Sequence, residues 1–513
     1  MRCTTLKSPE IGKWILLLGC FTALPASAHT DDHFNAVIEQ AKQLAEQAYQ
    51  APEESLPSAL KEIDYDTYRQ IRFSPDQAYW RDESPFNLQL FHSGFIFQTP
   101  ITLNIIEGDD VTPLPFSSDD FQYDDNAEAL LEQDLTGSGH AGFRLHYPLN
   151  NDDYADEFAV FLGASYFRLV GQDQTYGLST RGLAIDTASS EKEEFPAFRE
   201  FWLYKPGEDA DEITLLALLD SPSLSGAYRI TLRPGEQTNA KVEAELFARH
   251  DVAKLGIAPL TSMYTFGESS HERFDDFRPQ VHDSDGLLIH TGADEWIWRP
   301  LSNPQETHIS SFVDNAPHGF GLMQRERDFS RYLDMEAHYH QRPSQWVAPI
   351  DAWGAGHVEL VEIPTPDETH DNIVAYWVDD EPLNAGDSRH LHYHTHTLND
   401  AQDHDVGRVI RTRHGKATIE GSASEGATLE RQFVVDFQGG ALDDIAPDQP
   451  VKLDISTQTG NVTQPHVMSL PDNMWRASFR VPPTTEPSDI RLRLMLNNQP
   501  ISETWNYVWY PDA

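Results

Sequence analysis

From about residue 60 onward, apolar side chains recur at every second position in short runs. Phe86-Asn87-Leu88-Gln89-Leu90-Phe91 and Ile101-Thr102-Leu103-Asn104-Ile105 are the clearest. Similar runs occupy Phe143–Tyr147, Glu200–Leu203, Ile213–Leu219, Tyr228–Leu232 and Leu287–His290, each closed by Gly, Pro, Asn or Asp. A period of two buries one face of a strand and wets the other, and no helix can satisfy it. Helical spacing is confined to Phe34, Val37, Ile38, Ala41, Leu44, Ala45 and Ala48, a packing helix that Asp31 or Asp32 would cap and Pro52 would close. A short turn is expected near Arg325–Tyr332. Many short strands with little helix between them predict a mainly β chain built on a large antiparallel sandwich, not a βαβ fold.

The 513 residues suffice for more than one core. Glu381–Asp387 and Leu398–Asp405 are polar and acidic, and a linker is expected at 398–408. It divides a large N-terminal unit (29–397) from a smaller one (409–513). Strands are predicted in the tail at Arg431–Phe437, Val451–Ser456, Trp475–Val481, Ile490–Leu496 and Thr504–Trp509. Their number and spacing suit an immunoglobulin-like sandwich, although no cysteine pair supports that type.

Residues 1–28 read as an export signal. Arg2, Lys7 and Lys13 precede the apolar run Trp14–Leu24, and Ala26-Ser27-Ala28 is a small-x-small cleavage site. The run is too short to span a bilayer. It has no twin arginine, which favours the general secretion route. Leu17-Leu18-Gly19-Cys20 offers an alternative, a lipoprotein box lipidated at Cys20. Both cysteines, Cys3 and Cys20, precede Ala28, so neither disulfide nor thiol chemistry is expected after cleavage at Ala28. The net charge of −45 becomes about −47 once Arg2, Lys7, Lys13 and Glu10 are removed. Such a surface repels nucleic acid and anionic lipid.

Acids are too numerous for acidity to mark a site, so context must do so. Hydrolysis of a glycosidic bond needs two carboxyl groups, one to donate a proton and one to activate water. Asp283 lies in the turn His282-Asp283-Ser284-Asp285-Gly286, ahead of Trp296 and Trp298, whose rings could stack on sugars. The same residues could form an Asx turn and a core. Asp367, Glu368 and Asp371 crowd one turn between two strand-like stretches, where repulsion could raise a pKa or merely mark an exposed loop. Three runs rich in Gly, Tyr and Arg (Gly163–Thr187, Glu194–Trp202 and Gly319–Phe329) could bind sugar hydroxyls or form internal ion pairs.

His390, His392, His394 and His396 share one face of a strand. No carboxylate or cysteine at ligand spacing completes a metal set, so a solvent-facing strand with adventitious metal binding is expected. The chain has no Gly-x-Ser-x-Gly elbow, phosphate loop or His-Glu-x-x-His motif.

Together these runs resemble the periplasmic glucan biosynthesis protein G/D family of Gram-negative bacteria. The resemblance rests on Gly163–Phe167, Tyr176–Asp186, Glu194–Trp202, Leu218–Tyr228, Gly256–Met263, His282–Gly286, Glu295–Leu301, Gly319–Arg331, Val358–Trp377 and Glu503-Thr504-Trp505. A signal without twin arginine is similar to the G branch. The resemblance implies a galactose-mutarotase-like N-terminal sandwich and an immunoglobulin-like C-terminal one. It implies a periplasmic inverting endo-β-1,2-glucanase, with Asp371 as general acid, Asp283 as general base, and Glu368, Thr369 and Tyr339 in sugar subsites. Related readings are a transglycosylase and a non-catalytic glucan-binding scaffold. The implied partner is β-1,2-glucan, with a membrane glucan synthase and a second copy of the chain as further candidates. No cofactor, metal or nucleic acid is implied. Glu268–Asp276 departs from the family pattern, which leaves the shape of the cleft open.

Overall fold

The computed structural model describes residues 27–510 apart from 54, 190, 191, 269, 271, 272, 401, 418–429, 459 and 460. The export signal, except for its last two residues, and both cysteines lie outside the described residues. The fold is mainly β. Two large sheets, of ten and fifteen strands, face each other. Each predicted strand forms, usually within a residue or two of its expected ends. The turn near Arg325–Tyr332 is a single 3-10 turn, Phe329–Arg331.

Alternation builds the core directly. In the strand Asn239–Ala248, Ala240, Val242, Ala244, Leu246 and Ala248 point inward, while their neighbours are more accessible. Across the sandwich, Phe143 of the ten-stranded sheet stacks on Phe161 at 4.8 Å and meets Phe201 of the other sheet edge-on at 5.0 Å. Such pairs add about 0.5–1.5 kcal/mol each beyond simple burial.

The helix covers the outer face of the fifteen-stranded sheet. Phe34, Val37 and Ala41 pack on Ile106, Leu216, Leu218 and Ala227. It runs from Ser27 to Ala45, so it starts before Asp31 and Asp32 and neither caps it. Its far end is fixed from outside: Arg249 donates to the Leu44 and Gln47 carbonyls and pairs with Asp220. A guanidinium there satisfies the carbonyls a helix leaves open and suits their partial negative charge.

Two features depart from the expected plan. Among the described strands, pairing is antiparallel except at Ala197–Tyr204 with Thr102–Glu107 and Trp296–Pro300 with Thr504–Trp509, and an isolated bridge, Gly407 with Ser502, is also parallel. The second exception also joins the two units. Trp298 pairs with Trp505, so the strands Lys452–Thr457, Ser488–Leu496 and Thr504–Trp509 extend the large sheet. A four-stranded sheet (Arg408–Lys416, Arg431–Gln438, Trp475–Val481 and Thr463–Ser469) lies over them around Phe433, Phe479 and Trp505. That core takes in Leu288, Trp298, Met323 and Trp346 from before residue 398. One strand ends at Leu398 and the next begins at Arg408.

Two buried acids lock this arrangement. Glu503 accepts from Arg325, from the Val409 backbone N–H at 2.7 Å, and lies 2.8 Å from His404 Nε2. Burial opposes its ionisation, but Arg325 and His404 overcome that and hold its pKa down at about 2. Glu362 and Arg299 are both fully buried and bond at 2.8 Å, with Ser302 N–H and Oγ completing the carboxylate. This pair ties the Trp296–Pro300 strand to the end of the Ala355–Glu362 strand in the opposite sheet. Glu362→Ala is expected to lower stability by about 3–5 kcal/mol, because it strands a buried guanidinium. The exposed pair Arg72–Asp124 should change it by less than about 1 kcal/mol on Asp124→Ala. Urea unfolding of the two variants checks the contrast.

Candidate active site

One three-residue segment, Ser262-Met263-Tyr264, organises the site. Tyr264 pairs with His282, and the Asp283 N–H donates to the Met263 carbonyl at 2.8 Å. On the other side, the Asn372 N–H donates to the Ser262 carbonyl at 3.0 Å. The Asn372 side chain brackets Tyr264, accepting from its N–H at 2.8 Å and donating to its carbonyl at 3.0 Å. Asp283 and Asp371 therefore emerge from adjoining turns fastened to the same backbone.

Asp283 is 3% exposed. Burial pushes its pKa up to about 6, against the pull of Arg342, and the negative charge of Asp371 pushes the same way. Arg342 donates to its carboxylate and also to the Ala337 carbonyl, at 3.0 Å for the latter. The Arg342 guanidinium lies over the Tyr339 ring at 4.5 Å. Gly177 passes so close that a Cβ there would stand 2.9 Å from Arg342 Cβ. Behind Asp283, His282 is buried and kept neutral, its pKa lowered to about 4 by burial. Its ring stacks on Tyr264 and hydrogen-bonds Gln324, whose amide donates to the His282 and Tyr339 carbonyls.

Asp371 is exposed, at the mouth of a cavity of about 440 Å³ lined by Phe97, Tyr166, Arg168 and Ser179. Arg168 donates to Ser179 Oγ at 2.8 Å, and its charge favours ionised Asp283. A neighbouring hollow of about 350 Å³ shares Phe97 and Tyr166 and adds Phe195. Arg181 lies under this aromatic floor, 4.7 Å from the Tyr166 ring and 5.5 Å from Phe195, and pairs with Glu193.

Of the predicted companions, Tyr339 and Glu368 are joined. The Tyr339 hydroxyl donates to Glu368 Oε2 at 3.0 Å, and Arg278 holds the same carboxylate at 2.8 Å. Thr369 is turned toward its own loop, its N–H and hydroxyl both donating to Asp367. Those bonds lower the Asp367 pKa. Trp296 and Trp298 do not line the cavity at Asp371. Trp298 is buried under the Arg325 guanidinium at 3.5 Å, and Trp296 lies between His290 and His404. The rings at the cavity are Phe97, Tyr166 and Phe167, with Phe195 beyond.

Asp285 faces away from the Asp371 cavity, its Oδ2 accepting from the Arg325 and Glu326 N–H groups. The histidine strand does present His390, His392, His394 and His396 on its more accessible face. A carboxylate nonetheless joins it from a distant turn, as Asp351 lies 3.3 Å from His392 Nδ1 and 3.8 Å from His390 Nε2. Arg342 and Asn372 were missed by sequence reasoning. Arg342 lies in none of the runs singled out, and Asn372, though within Val358–Trp377, gains its role only from its bonds to Tyr264.

The fold is a mainly β sandwich in which Asp283 and Asp371 emerge from adjoining turns, Asp371 lining the aromatic cavity and Asp283 buried behind it. Residues 33–509 match the family described as "Periplasmic glucan biosynthesis protein, MdoG". The chain is 45% identical over 482 residues to a protein named "Glucans biosynthesis protein G" from Vibrio cholerae, covering 93% of this chain and 86% of the relative. It is 44% identical over 508 residues to a protein of the same name from Ralstonia nicotianae, covering 97% and 99%. A third, from Pseudomonas paraeruginosa, is 42% identical over 505 residues, covering 95% and 94%. The chain belongs to this periplasmic glucan biosynthesis family.

Because ionised Asp371 repels ionised Asp283, Asp371→Asn should move the Asp283 titration below its midpoint of about 6. Arg342→Met should move it upward. The carboxyl stretch followed by infrared spectroscopy across pH 4–8 reads both shifts. Asp283 disfavours the folded state as pH rises from its unfolded value near 3.9 to about 6, because its charged form is the buried one.

Proposed function

We propose that this protein acts in the periplasm in glucan biosynthesis by cleaving the backbone of β-1,2-glucan internally, with inversion. Family membership supports the role in glucan biosynthesis. The cleavage step is supported above all by one observation: Asp283 and Asp371 sit on adjoining turns fixed to Ser262–Tyr264, one sunk beside Arg342 and one exposed at the cavity mouth.

In this reading the glucan lies along the Tyr166 and Phe97 surface, its apolar sugar faces against the rings. Asp371 gives its proton to the leaving glycosidic oxygen as the bond to C1 breaks. Water attacks C1 from the opposite face and passes its proton to Asp283, directly or through a second water. Arg342 and Arg168 keep Asp283 ionised despite its burial, so it is available as a base above pH 6. Tyr339 and Glu368 would fix a neighbouring sugar through hydroxyl hydrogen bonds. A membrane glucan synthase is the natural source of the polymer, and a second copy of the chain is a further candidate partner. A scaffold would need the aromatic cleft but not the acids, and a transglycosylase would form no net reducing ends.

Asp371→Asn is expected to reduce release of reducing ends from linear β-1,2-glucan by at least about 10²-fold, with binding of the polymer changed little. Undiminished release by that variant rejects the assignment. For the unaltered protein, kcat/KM should rise with pH through about 6 on the acid side, as Asp283 loses its proton. A flat profile there contradicts the role given to Asp283.

A further inference from the structure

A second group of ligating side chains lies outside the cleft, on the hairpin Gly286–Pro300. His290 ends one strand, Asp294 sits in the turn, and His318 reaches over from the loop before Gly319–Met323. The two imidazole Nε2 atoms converge on a single oxygen, Asp294 Oδ1, at 3.4 Å from His290 and 3.3 Å from His318. All three ligand atoms lie within 4.8 Å of one another.

Those distances are compatible with a shared cation. An N–H···O bond centres near 2.9 Å and rarely exceeds about 3.2 Å. Ligands of a tetrahedral zinc, with bonds of about 2.0–2.1 Å, stand roughly 3.3–3.4 Å apart. The two imidazole–carboxylate separations are close to the second value.

The backbone holds this geometry in place. Gly292 packs so tightly under the 315–318 loop that a Cβ there would lie 2.1 Å from the Asn315 carbonyl oxygen. Its N–H donates to Asp314 at 2.9 Å, and the His318 N–H donates to the His290 carbonyl at 2.9 Å. Asp294 adopts a left-handed backbone, φ 60°, which aims its carboxylate back over the hairpin. The His290 ring is fixed by stacking on Trp296 at 4.0 Å and 10°. Two ligands from one hairpin and a third from the loop bonded to it make a site that can close on an ion with local side-chain movement.

We propose that His290, Asp294 and His318 bind a divalent first-row transition cation, zinc or copper, with a fourth position open to water. Two imidazoles and one carboxylate suit those ions and not calcium or magnesium, which take oxygen ligands. The site adjoins the seam between the two units. Glu295, next to Asp294, accepts from Thr504 and pairs with Arg491, and Trp296 touches His404. A bound ion therefore ties the hairpin to the 315–318 loop beside that seam.

The test is zinc titration by calorimetry on the full chain carrying His390→Ala and His392→Ala, which removes the other histidine cluster, at pH 7.5. One zinc per chain is expected. Adding His318→Ala should weaken that binding by more than about tenfold, the loss that even an outer partner of a ligand can cause. Asp294→Asn, which keeps the turn and its left-handed backbone, should also weaken it. X-ray absorption of the zinc complex should show two imidazoles in the first shell. Zinc binding of equal strength with and without His318, or no binding at one equivalent, overturns the proposal.

Discussion

The site depends on the backbone of Ser262-Met263-Tyr264, which serves two turns at once. One edge supplies the carbonyl that positions Asp283, and the other receives Asn372 and so positions Asp371. A carboxylate pair can cooperate only if both partners are held to within about half an ångström. Two turns anchored independently to different strands would drift relative to each other. Here any movement of the shared segment carries both acids together.

Burial and charge then set the two acids apart. Asp283 lies in low dielectric, where its ionised form survives only because Arg342 is bonded to it and Arg168 is near. Asp371 stays at the surface, where substrate and water can reach it. The buried pairs Arg299–Glu362 and Arg325–Glu503 belong to the same economy of charge. The first ties the end of the strand that leads into the Asp371 turn to the opposite sheet, and the second fastens the tail to the larger unit. In a chain of net charge −45, most acids repel one another across water, and these few are fixed by partnered arginines.

Much of this was legible in the sequence. Period-two runs located the strands, because burial of one face dictates that pattern whatever the partner strand. The helix was legible from Phe34, Val37 and Ala41, but its start was not, since Arg249 anchors its other end from 205 residues away. The joining of the two units through Trp298 and Trp505 left no local signal, because parallel pairing of distant segments is set by the whole sheet. The same holds for function. The acids stood out in their turns, whereas Arg342 and Asn372 gain meaning only from what folds against them. Trp296 and Trp298 misled for the complementary reason: aromatic residues on a strand look alike in sequence whether they face a sugar or a seam. Tyr166 and Phe97 line the cavity instead, above Arg181.

The account stands on water attacking from the side of Asp283 while Asp371 protonates the leaving oxygen on the other. The most direct measurement is the anomeric form of the first product released from β-1,2-glucan, followed by proton NMR within the first minutes of reaction. Direct attack by water predicts the α-anomer, formed before mutarotation. Initial release of the β-anomer would mean a covalent or otherwise retaining route, and would contradict the roles assigned to both carboxylates.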